Sequence, residues 1–499
     1  MSTDAFVASR QRFDGVLAFL DGSAAELAAS ELEDRLAVDS RELMQQLMQD
    51  HLDLRATRER RVEGVVDANG VARGAVETGH ARGLHTVFGE VDVTRMAYRS
   101  RGRGNLYPTD AALNLPAEKH SHGLRRLAMV EAARGSFDDA VAAIERATGQ
   151  KLGKRQVEAL AARAAVDFDA FYTRQRDDPS DAQTPDADKH VLVISCDGKG
   201  VVMRPQALRE ATARKATSTK LKTRLSKGEK ANRKRMAEVG AVYDIKPAPR
   251  TAADILPEPD DKQRPRPKPP ATVNKWLTAS VVDDAATVVS QIFDEAHRRD
   301  PQHTRTWIAL VDGNNHQIDR IKTEAKRRDL TVTILIDLIH VIEYVWKAAW
   351  CLHTEGDPAA ETWVHHHLLS ILNGKASRVA ATIRAAATRA QLDPAKRAGI
   401  DTCANYLLRK APYLDYPTAL ANGWPIATGV IEGACRHLVK DRMDITGARW
   451  GLHGAETVLK LRAIAANDDL DNYWTYHLNQ ERQRIHASRY DAGVMPTAA

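Results

Sequence analysis

Two apolar, strand-like runs in the chain each end on an aspartate that is followed by glycine. They are Val191-Leu-Val-Ile-Ser-Cys-Asp197-Gly and Trp307-Ile-Ala-Leu-Val-Asp312-Gly. Asp-Gly is a common turn signal, so one such pair alone would indicate little. However, an ionised carboxylate is costly to desolvate unless something pairs with it. Two such acids closing buried-type strands therefore favour a shared role, with a divalent metal ion as the partner.

A glutamate lies far downstream in a helix-like segment, Thr428-Gly-Val-Ile-Glu432-Gly-Ala-Cys-Arg436. It could be a surface residue paired with Arg436 one turn later. Its apolar neighbours instead favour a side chain that points into a crevice. Two Asp and one Glu on separate elements can hold two Mg²⁺ or Mn²⁺ ions over a phosphodiester. Asp197, Asp312 and Glu432 are thus the predicted catalytic and metal-binding residues.

A further acid, Asp337, ends the next strand-like run, Thr331 to Ile336, and His340 follows it by three residues. Asp337 could replace Asp312 as the second metal ligand. Alternatively, its carboxylate caps the helix that follows, with His340 held beside the active site. The second interpretation, an accessory role for both residues, is the one that we favour.

The composition is that of an ordinary globular protein. The chain has 499 residues, a formal net charge of +6 and four cysteines without paired spacing. This length predicts two or three domains, and the cysteine pattern indicates reduced thiols in a cytoplasm. The sequence has neither an apolar run long enough for a membrane helix nor the features of a signal peptide, so we expect no membrane association.

The order of strand-like and helical patterns predicts an α/β protein. The expected fold is a ribonuclease-H-like mixed sheet with a helical insertion, preceded by a mostly α N-terminal DNA-binding region. The predicted segments are an N-terminal helical region (1–65), a small β-containing region (66–117), a helix-turn-helix-like region (118–176), a linker (177–189), the first part of the core (190–345), the helical insertion (346–425), C-terminal core helices (426–480) and a flexible tail (481–499).

Several basic side chains are candidates for contacts with DNA. In the helix-turn-helix-like region, Lys151, Lys154 and Arg155 begin the second helix, although an ordinary helical hairpin would look similar. The stretch 204–235 holds twelve Lys or Arg and two Glu, a run that could contact phosphates or simply be solvated. The remaining candidates are Lys230, Arg233, Lys234 and Arg235 in that stretch, Arg436, Lys440 and Arg442 after the glutamate, and Arg449 with Trp450, where a core Trp is an equally good interpretation.

Together these segments resemble the DDE-class transposases of bacterial insertion sequences, in particular the Kra-type group with its Mutator-like layout. The resemblance is carried by Ser195-Cys-Asp197-Gly-Lys-Gly, Gly228 to Tyr243, Leu310-Val-Asp312-Gly, Ile336-Asp-Leu-Ile-His340, Gly429-Val-Ile-Glu432-Gly and the Phe88-Gly-Glu-Val-Asp-Val-Thr-Arg region. It places Asp197, Asp312 and Glu432 in the metal-binding triad and Asp337 and His340 in an accessory Asp-x-x-His element.

The resemblance implies an enzyme of the bacterial cytoplasm, associated with the nucleoid, that cleaves the DNA at element ends and joins the 3′-hydroxyl to target DNA. The expected cofactors are two Mg²⁺ or Mn²⁺ ions. The expected partners are double-stranded DNA, namely the terminal inverted repeats and the target, and further copies of the chain in a homodimer or higher oligomer on DNA. Two alternatives stay open: a catalytically inactive DNA-binding regulator, and a ribonuclease-H-like nuclease without strand transfer.

Overall fold

The computed structural model describes residues 5–177, 189–217, 233–258, 265–445 and 447–496. The chain forms two compact units, of which the first combines Met1–Phe171 with Asp468–Ala499 and the second is Tyr172–Asn467. Most of the predicted linker lies outside the described residues. The prediction that the catalytic core extends to residue 480 was wrong, because the chain returns to the first unit at Asp468.

The N-terminal part of the first unit is helical around one antiparallel hairpin, as the periodicity predicts. Strands β1 and β2 pair from Ala75↔Arg99 to Thr86↔Gly89. The elements are α1 (Val7–Asp21), a 3₁₀ turn (Ser23–Glu26), α2 (Ala29–Arg58), β1 (Ala75–Thr86), β2 (Gly89–Arg99), α3 (Pro108–Ala112), α4 (His122–Arg134), α5 (Phe137–Thr148), α6 (Lys154–Ala164) and α7 (Phe168–Asp177), the last of which crosses into the second unit.

The helix-turn-helix-like pair is present at the predicted position. Ser136 caps α5, since its Oγ accepts from the Asp139 backbone N at 3.1 Å and the Asp139 carboxylate accepts from the Ser136 N at 3.1 Å. Gly149, with φ of 70°, ends the helix in the left-handed conformation that glycine tolerates. Helices α4, α5 and α6 all pack on one another. The two helices and the cap of α5 are therefore confirmed, and the helix-turn-helix role and DNA binding by α6 stay predictions.

The second unit contains a five-stranded mixed sheet, which confirms the α/β class. Its strands are β3 (Val191–Val202), β4 (Lys234–Lys246), β5 (Ala271–Ser280), β6 (Trp307–Val311) and β7 (Thr333–Ile336). The spatial order is β5-β4-β3-β6-β7. Strands β3, β4 and β5 pair antiparallel, whereas β6 runs parallel to β3 and β7 runs parallel to β6.

The register of the parallel strands aligns three aspartates. Ile194 pairs with Ala309, and Val311 pairs with Ile336. When the β3–β6 register is extended toward the carboxyl ends of the strands, Asp197 lies beside Asp312. When the β6–β7 register is extended in the same way, Asp312 lies beside Asp337. The Asp337 N donates to the Val311 carbonyl at 2.8 Å, so the ladder reaches this last position. The acids that the sequence marks separately therefore share one edge of the sheet.

Helices flank this sheet and follow it in the chain, including the predicted run between residues 346 and 425. They are α8 (Glu210–Thr217), α9 (Ala252–Ile255), α10 (Ala285–Arg299), α11 (Asn315–Arg327), α12 (Leu338–Ala349), α13 (Pro358–Leu372), α14 (Ala376–Arg389), α15 (Ala398–Lys410), α16 (Tyr416–Ala421), α17 (Gly429–Ala434), a π-helical segment (Cys435–Lys440), α18 (Asp441–Met443) and α19 (Leu452–Ala466), with 3₁₀ turns at Pro205–Ala207 and Ala411–Tyr413.

The C-terminal segment is structured as far as residue 496, so the prediction of a flexible tail was wrong. Helix α20 (Leu470–Glu481) continues into a π-helical turn (Arg482–His486) and short 3₁₀ turns (Ala487–Arg489 and Asp491–Gly493). Tyr490 is only 3% exposed and packs with Val65, Tyr98 and Leu106 in the core of the first unit. Burial of the Tyr490 ring in this core holds the C-terminal segment in place. In the described part of the chain, no helix is sufficiently long and apolar to cross a bilayer.

The buried His367 on α13 predicts acid-sensitive stability. Burial lowers its pKa to about 4, below the unfolded value of about 6.5. The stabilising contribution is therefore complete above pH 6.5 and is lost as the pH falls toward 4. Between pH 7 and pH 5, we expect this histidine to cost the wild type about 2 kcal/mol of unfolding free energy. His367→Phe, which keeps the ring contact with Trp363, should not show this part of the loss. Urea titrations at several pH values measure this, with His453→Gln at an exposed site as the control.

Candidate carboxylate site

Asp197 lies within β3, which continues to Val202, so the predicted strand end at this residue was wrong. Both of its carboxylate oxygens are in hydrogen bonds. Oδ1 accepts from the Gly198 N at 2.7 Å, and Oδ2 accepts from the Cys435 thiol at 3.3 Å. Burial, and then the nearby Asp197 charge, raise the pKa of Cys196 to about 12 and the pKa of Cys435 still further. Both cysteines therefore stay protonated, and Cys435 acts as a donor that orients Asp197.

Asp312 directly follows β6 and is half-buried. Its Oδ1 accepts from the Asn314 N at 2.7 Å, whereas its Oδ2 has no hydrogen-bond partner among the described residues. The glycine after it is required, because Gly313 has φ of 90° and an added Cβ would lie 2.6 Å from the Tyr406 hydroxyl oxygen. The Asp-Gly turn thus presents one free carboxylate oxygen at the sheet edge.

Asp337 is completely buried and caps α12, as predicted. Its Oδ1 accepts from the Ile339 N at 2.8 Å, and its Oδ2 accepts from the Thr428 hydroxyl. Thr428 Oγ1 also lies 3.4 Å from Glu432 Oε1. The ligand atoms of Asp337, His340 and Glu432 all lie within 4.8 Å of one another. Thr428 therefore links the buried cap to the glutamate.

The predicted triad of Asp197, Asp312 and Glu432 lies in one region of the second unit, but its three carboxylates do not form one tight cluster. Asp197 and Asp312 line the same cavity, and the helix of Glu432 contacts Asp197 through Cys435. Among the residues that the structure describes, however, the group with mutual distances under 4.8 Å contains Glu432 with Asp337 and His340, not with Asp197 and Asp312. The acids thus form two adjoining groups, and Asp337 connects them by its position in the strand register.

Glu432 differs from its prediction in two details. Its side chain is exposed, so the expectation of a crevice was wrong. The acid that pairs with Arg436 among the described residues is Asp441, at 3.7 Å, and not Glu432. The helix widens to a π-helical segment directly after Ala434. Such segments often occur at functional sites, and here the segment carries Cys435, the donor to Asp197.

Three of the predicted DNA-contacting side chains are buried, which corrects their assignment. Arg442, Trp450 and Arg233 are 2%, 7% and 8% exposed. Trp450 Nε1 donates to the Met443 carbonyl at 3.0 Å, and Arg442 stacks on the Trp450 ring at 4.8 Å. The two residues therefore anchor the chain after the glutamate helix, so the core interpretation of Trp450 holds.

The other predicted basic contacts differ in how far they are available to a ligand. Arg235 donates to the Val281 and Ala207 carbonyls, so much of its guanidinium is already engaged. Lys230 lies outside the described residues. Lys154 is exposed and pairs with the equally exposed Asp138 at 2.5 Å. The predicted contacts that remain exposed are Lys151, Lys154, Arg155, Lys234, Arg436, Lys440 and Arg449.

Thr428 and Cys435 are functional candidates that the sequence analysis missed. Both belong to the Glu432 segment, at the positions i−4 and i+3 from the glutamate, which lie on the same face of a helix. This spacing could have marked them. Their hydrogen bonds to Asp337 and Asp197 depend on tertiary packing, which the spacing does not reveal.

No protein-family model matches the sequence, and no curated protein matches it. The functional argument therefore depends on the residues and their geometry.

Proposed function

We propose that the chain is a metal-dependent DNA strand-cleaving and strand-joining enzyme, a transposase of the DDE class with a ribonuclease-H-like core. The main support is the alignment of Asp197, Asp312 and Asp337 on three adjacent parallel strands, with the Glu432 helix beside them. The strand order β5-β4-β3-β6-β7, with three antiparallel strands followed by two parallel ones, is the order expected of a ribonuclease-H-like sheet.

The donor set fits divalent cations of the Mg²⁺ type. Asp197, Asp312 and Glu432 offer carboxylate oxygens, the ligands that Mg²⁺ and Mn²⁺ prefer. His340 is a less usual ligand for Mg²⁺, so we assign it to hydrogen bonding with Glu432 or with a phosphate. Two bound ions would supply activation of water or of a 3′-hydroxyl and stabilisation of the leaving oxygen.

The chain's own residues position these carboxylates. Cys435 and Gly198 fix the two oxygens of Asp197. Asn314 fixes one oxygen of Asp312 and leaves the other available. Asp337 holds the Thr428 hydroxyl, which in turn contacts Glu432. This arrangement restricts the rotamers of the ligands before substrate binds, as a preorganised site requires.

The direct experiment incubates the purified full-length chain with Mg²⁺ and end-labelled DNA carrying the sequences that flank its own coding region. We expect Mg²⁺-dependent cleavage at those ends and a joined product with a second, unlabelled duplex. Cleavage without joining would instead identify a nuclease, and specific binding without cleavage would identify a regulator.

The exposed basic residues at the start of α6 and just before it give a separate prediction about DNA affinity. Lys151, Lys154 and Arg155 lack a buried role, so we expect the triple Ala variant to bind all DNA more weakly. The slope of log affinity against log salt should decrease by roughly 0.9 for each phosphate contact that is lost. Fluorescence anisotropy at several salt concentrations measures the slope. Arg101→Ala with Arg103→Ala, in the exposed turn after β2, is the control, and an unchanged slope in the α6 variant would contradict the contact.

A further inference from the structure

Two tyrosine hydroxyls of the helical insertion donate to backbone carbonyls at the sheet edge that carries the aspartates. Tyr406 on α15 donates to the Asp312 carbonyl at 3.4 Å. Tyr416 on α16 is fully buried and donates at 2.9 Å to the Ile336 carbonyl, one residue before Asp337. Buried carbonyls need such donors, and β7 is an edge strand with a strand neighbour on one side only. The insertion therefore supplies hydrogen-bond donors at the ends of both β6 and β7.

The Tyr406 hydroxyl is held against the turn that follows β6. Gly313 in this turn leaves the space for it, because a Cβ there would lie 2.6 Å from the hydroxyl oxygen. The Tyr406 ring stacks on Tyr344 of α12, with ring centroids 3.9 Å apart and an angle of 14° between the planes. This stack fixes the ring, so the hydroxyl has little freedom to leave the turn.

A third contact joins α15 to the same turn. Lys410 lies one helical turn after Tyr406, is only 7% exposed and donates to the Asn315 side-chain oxygen. Its ammonium forms no ion pair with the residues that the structure describes. Burial of an unpaired cation is costly, so stability alone does not favour a lysine at this position. Helix α15 thus contacts the turn both at Asp312 and at Asn315.

We propose that the helical insertion is a brace for the metal-binding edge of the sheet, with Tyr406 as a positioning residue for Asp312 and Tyr416 as one for Asp337. The brace deepens the proposed function and rests on it where metal binding is concerned. Neither tyrosine touches the metal ions or DNA. Each acts through the backbone, because the carbonyl that it holds belongs to the aspartate or to the residue before it. A brace of this kind keeps the ligands within the narrow geometry that a preorganised site requires.

The first test measures the affinity for Mn²⁺ alone, by water proton relaxation, on the full-length protein without DNA. Tyr406→Phe removes the hydroxyl and keeps the stacked ring, and we expect it to weaken Mn²⁺ binding by about 10- to 100-fold. Tyr344→Phe is the matched control, because it removes the other hydroxyl of the stack, which forms no hydrogen bond with the described residues. The control should bind Mn²⁺ as the wild type does.

The second test measures amide hydrogen exchange, which does not depend on catalysis or on metal. Tyr406→Phe should speed exchange by roughly 2- to 12-fold at Asn314, whose N donates to Asp312, and leave Ile339 unchanged. Tyr416→Phe should do the reverse, because the Ile339 N donates to the Asp337 carboxylate. Mass spectrometry of the peptides that contain these two residues gives the rates, and exchange in β3 reports on any global loss of stability.

Cleavage assays separate positioning from contact with the substrate. A positioning residue acts on the chemical step, so Tyr406→Phe should lower kcat and kcat/KM equally and leave the KM for DNA unchanged. A higher KM at an unchanged Mn²⁺ affinity would make Tyr406 a DNA contact and overturn the brace.

Two further results would also overturn it. One is a Tyr406→Phe variant with wild-type Mn²⁺ affinity and wild-type exchange at Asn314. The other is an equal loss in Tyr406→Phe and Tyr344→Phe, because the ring stack and not the hydroxyl would then be responsible. A wild type that neither binds Mn²⁺ nor cleaves DNA would contradict the proposed function, and the exchange pattern alone would then support or overturn the brace.

Discussion

Asp312→Asn is expected to reduce DNA cleavage by more than about 100-fold while leaving DNA affinity and folding near the wild-type values. The expected loss exceeds the 10- to 100-fold loss of activity that is usual when a residue only orients a metal-binding side chain. The asparagine Oδ1 can still accept from the Asn314 N, so the turn after β6 is preserved. What is lost is the negative charge and the carboxylate oxygen that accepts no hydrogen bond from the described residues.

Asp337→Asn should behave differently, with a loss of cleavage of about 10- to 100-fold. The amide oxygen can still cap α12, and the Thr428 hydroxyl can rotate to accept from the new amide group. The charge that helps to orient Thr428 and Glu432 is removed, but no predicted metal ligand is lost. Cleavage rates in Mg²⁺ and in Mn²⁺ measure both variants, and circular dichroism and DNA binding report on their folding.

Asp329→Asn is the matched control, because this acid is exposed between α11 and β7 and already has the positive φ of 54° that asparagine tolerates. It should cleave at the wild-type rate. Substantial activity in Asp312→Asn together with complete loss in Asp337→Asn would reverse the assignment and make Asp337 the second metal ligand, as the proximity of its carboxylate to Glu432 allows.

Arg125→Met is expected to destabilise the protein by about 3–5 kcal/mol, the largest effect on stability that we predict. Arg125 on α4 is fully buried and donates to Glu118 at 2.5 Å and to Glu481 at 2.5 Å. Its Nη1 also lies 3.1 Å from His477 Nε2. Methionine fills a similar volume but leaves Glu118 and Glu481 only with their more exposed partners, Arg163 and Arg484.

The hydrogen-bond directions in this network fix the state of His477. Because Arg125 can only donate, His477 Nε2 must accept, and its Nδ1–H donates to Asp167 at 2.7 Å. Removing Arg125 takes away the group that determines this tautomer and leaves a buried excess of negative charge.

The neighbouring Arg126 provides the control, since its pair with Asp471 is exposed. Arg126→Met should change the unfolding free energy by at most about 1 kcal/mol. Urea unfolding of the full-length variants, followed by tryptophan fluorescence and circular dichroism, gives both values. Similar midpoints for Arg125→Met and wild type would show that the buried network does not stabilise the first unit.

The sequence by itself determined the features that depend on local periodicity and on short-range chemistry. The apolar runs before the two Asp-Gly pairs located β3 and β6, although only β6 ends there, and Ser136 with Asp139 located the start of α5. Asp337 was predicted as a helix cap because a carboxylate before an apolar helix satisfies its free N–H groups. These features need only neighbours in the chain, which the sequence displays directly.

Only the tertiary structure decided which distant residues meet. The parallel register aligned Asp197 with Asp312 and Asp337, and the packing of the glutamate helix brought Thr428 and Cys435 to these acids. It also buried Arg442, which was predicted to contact DNA, and Trp450, for which the sequence left DNA stacking and a core position open. Strand register and side-chain burial depend on long-range packing. A charged or aromatic residue therefore carries no local mark of whether it faces solvent or the core.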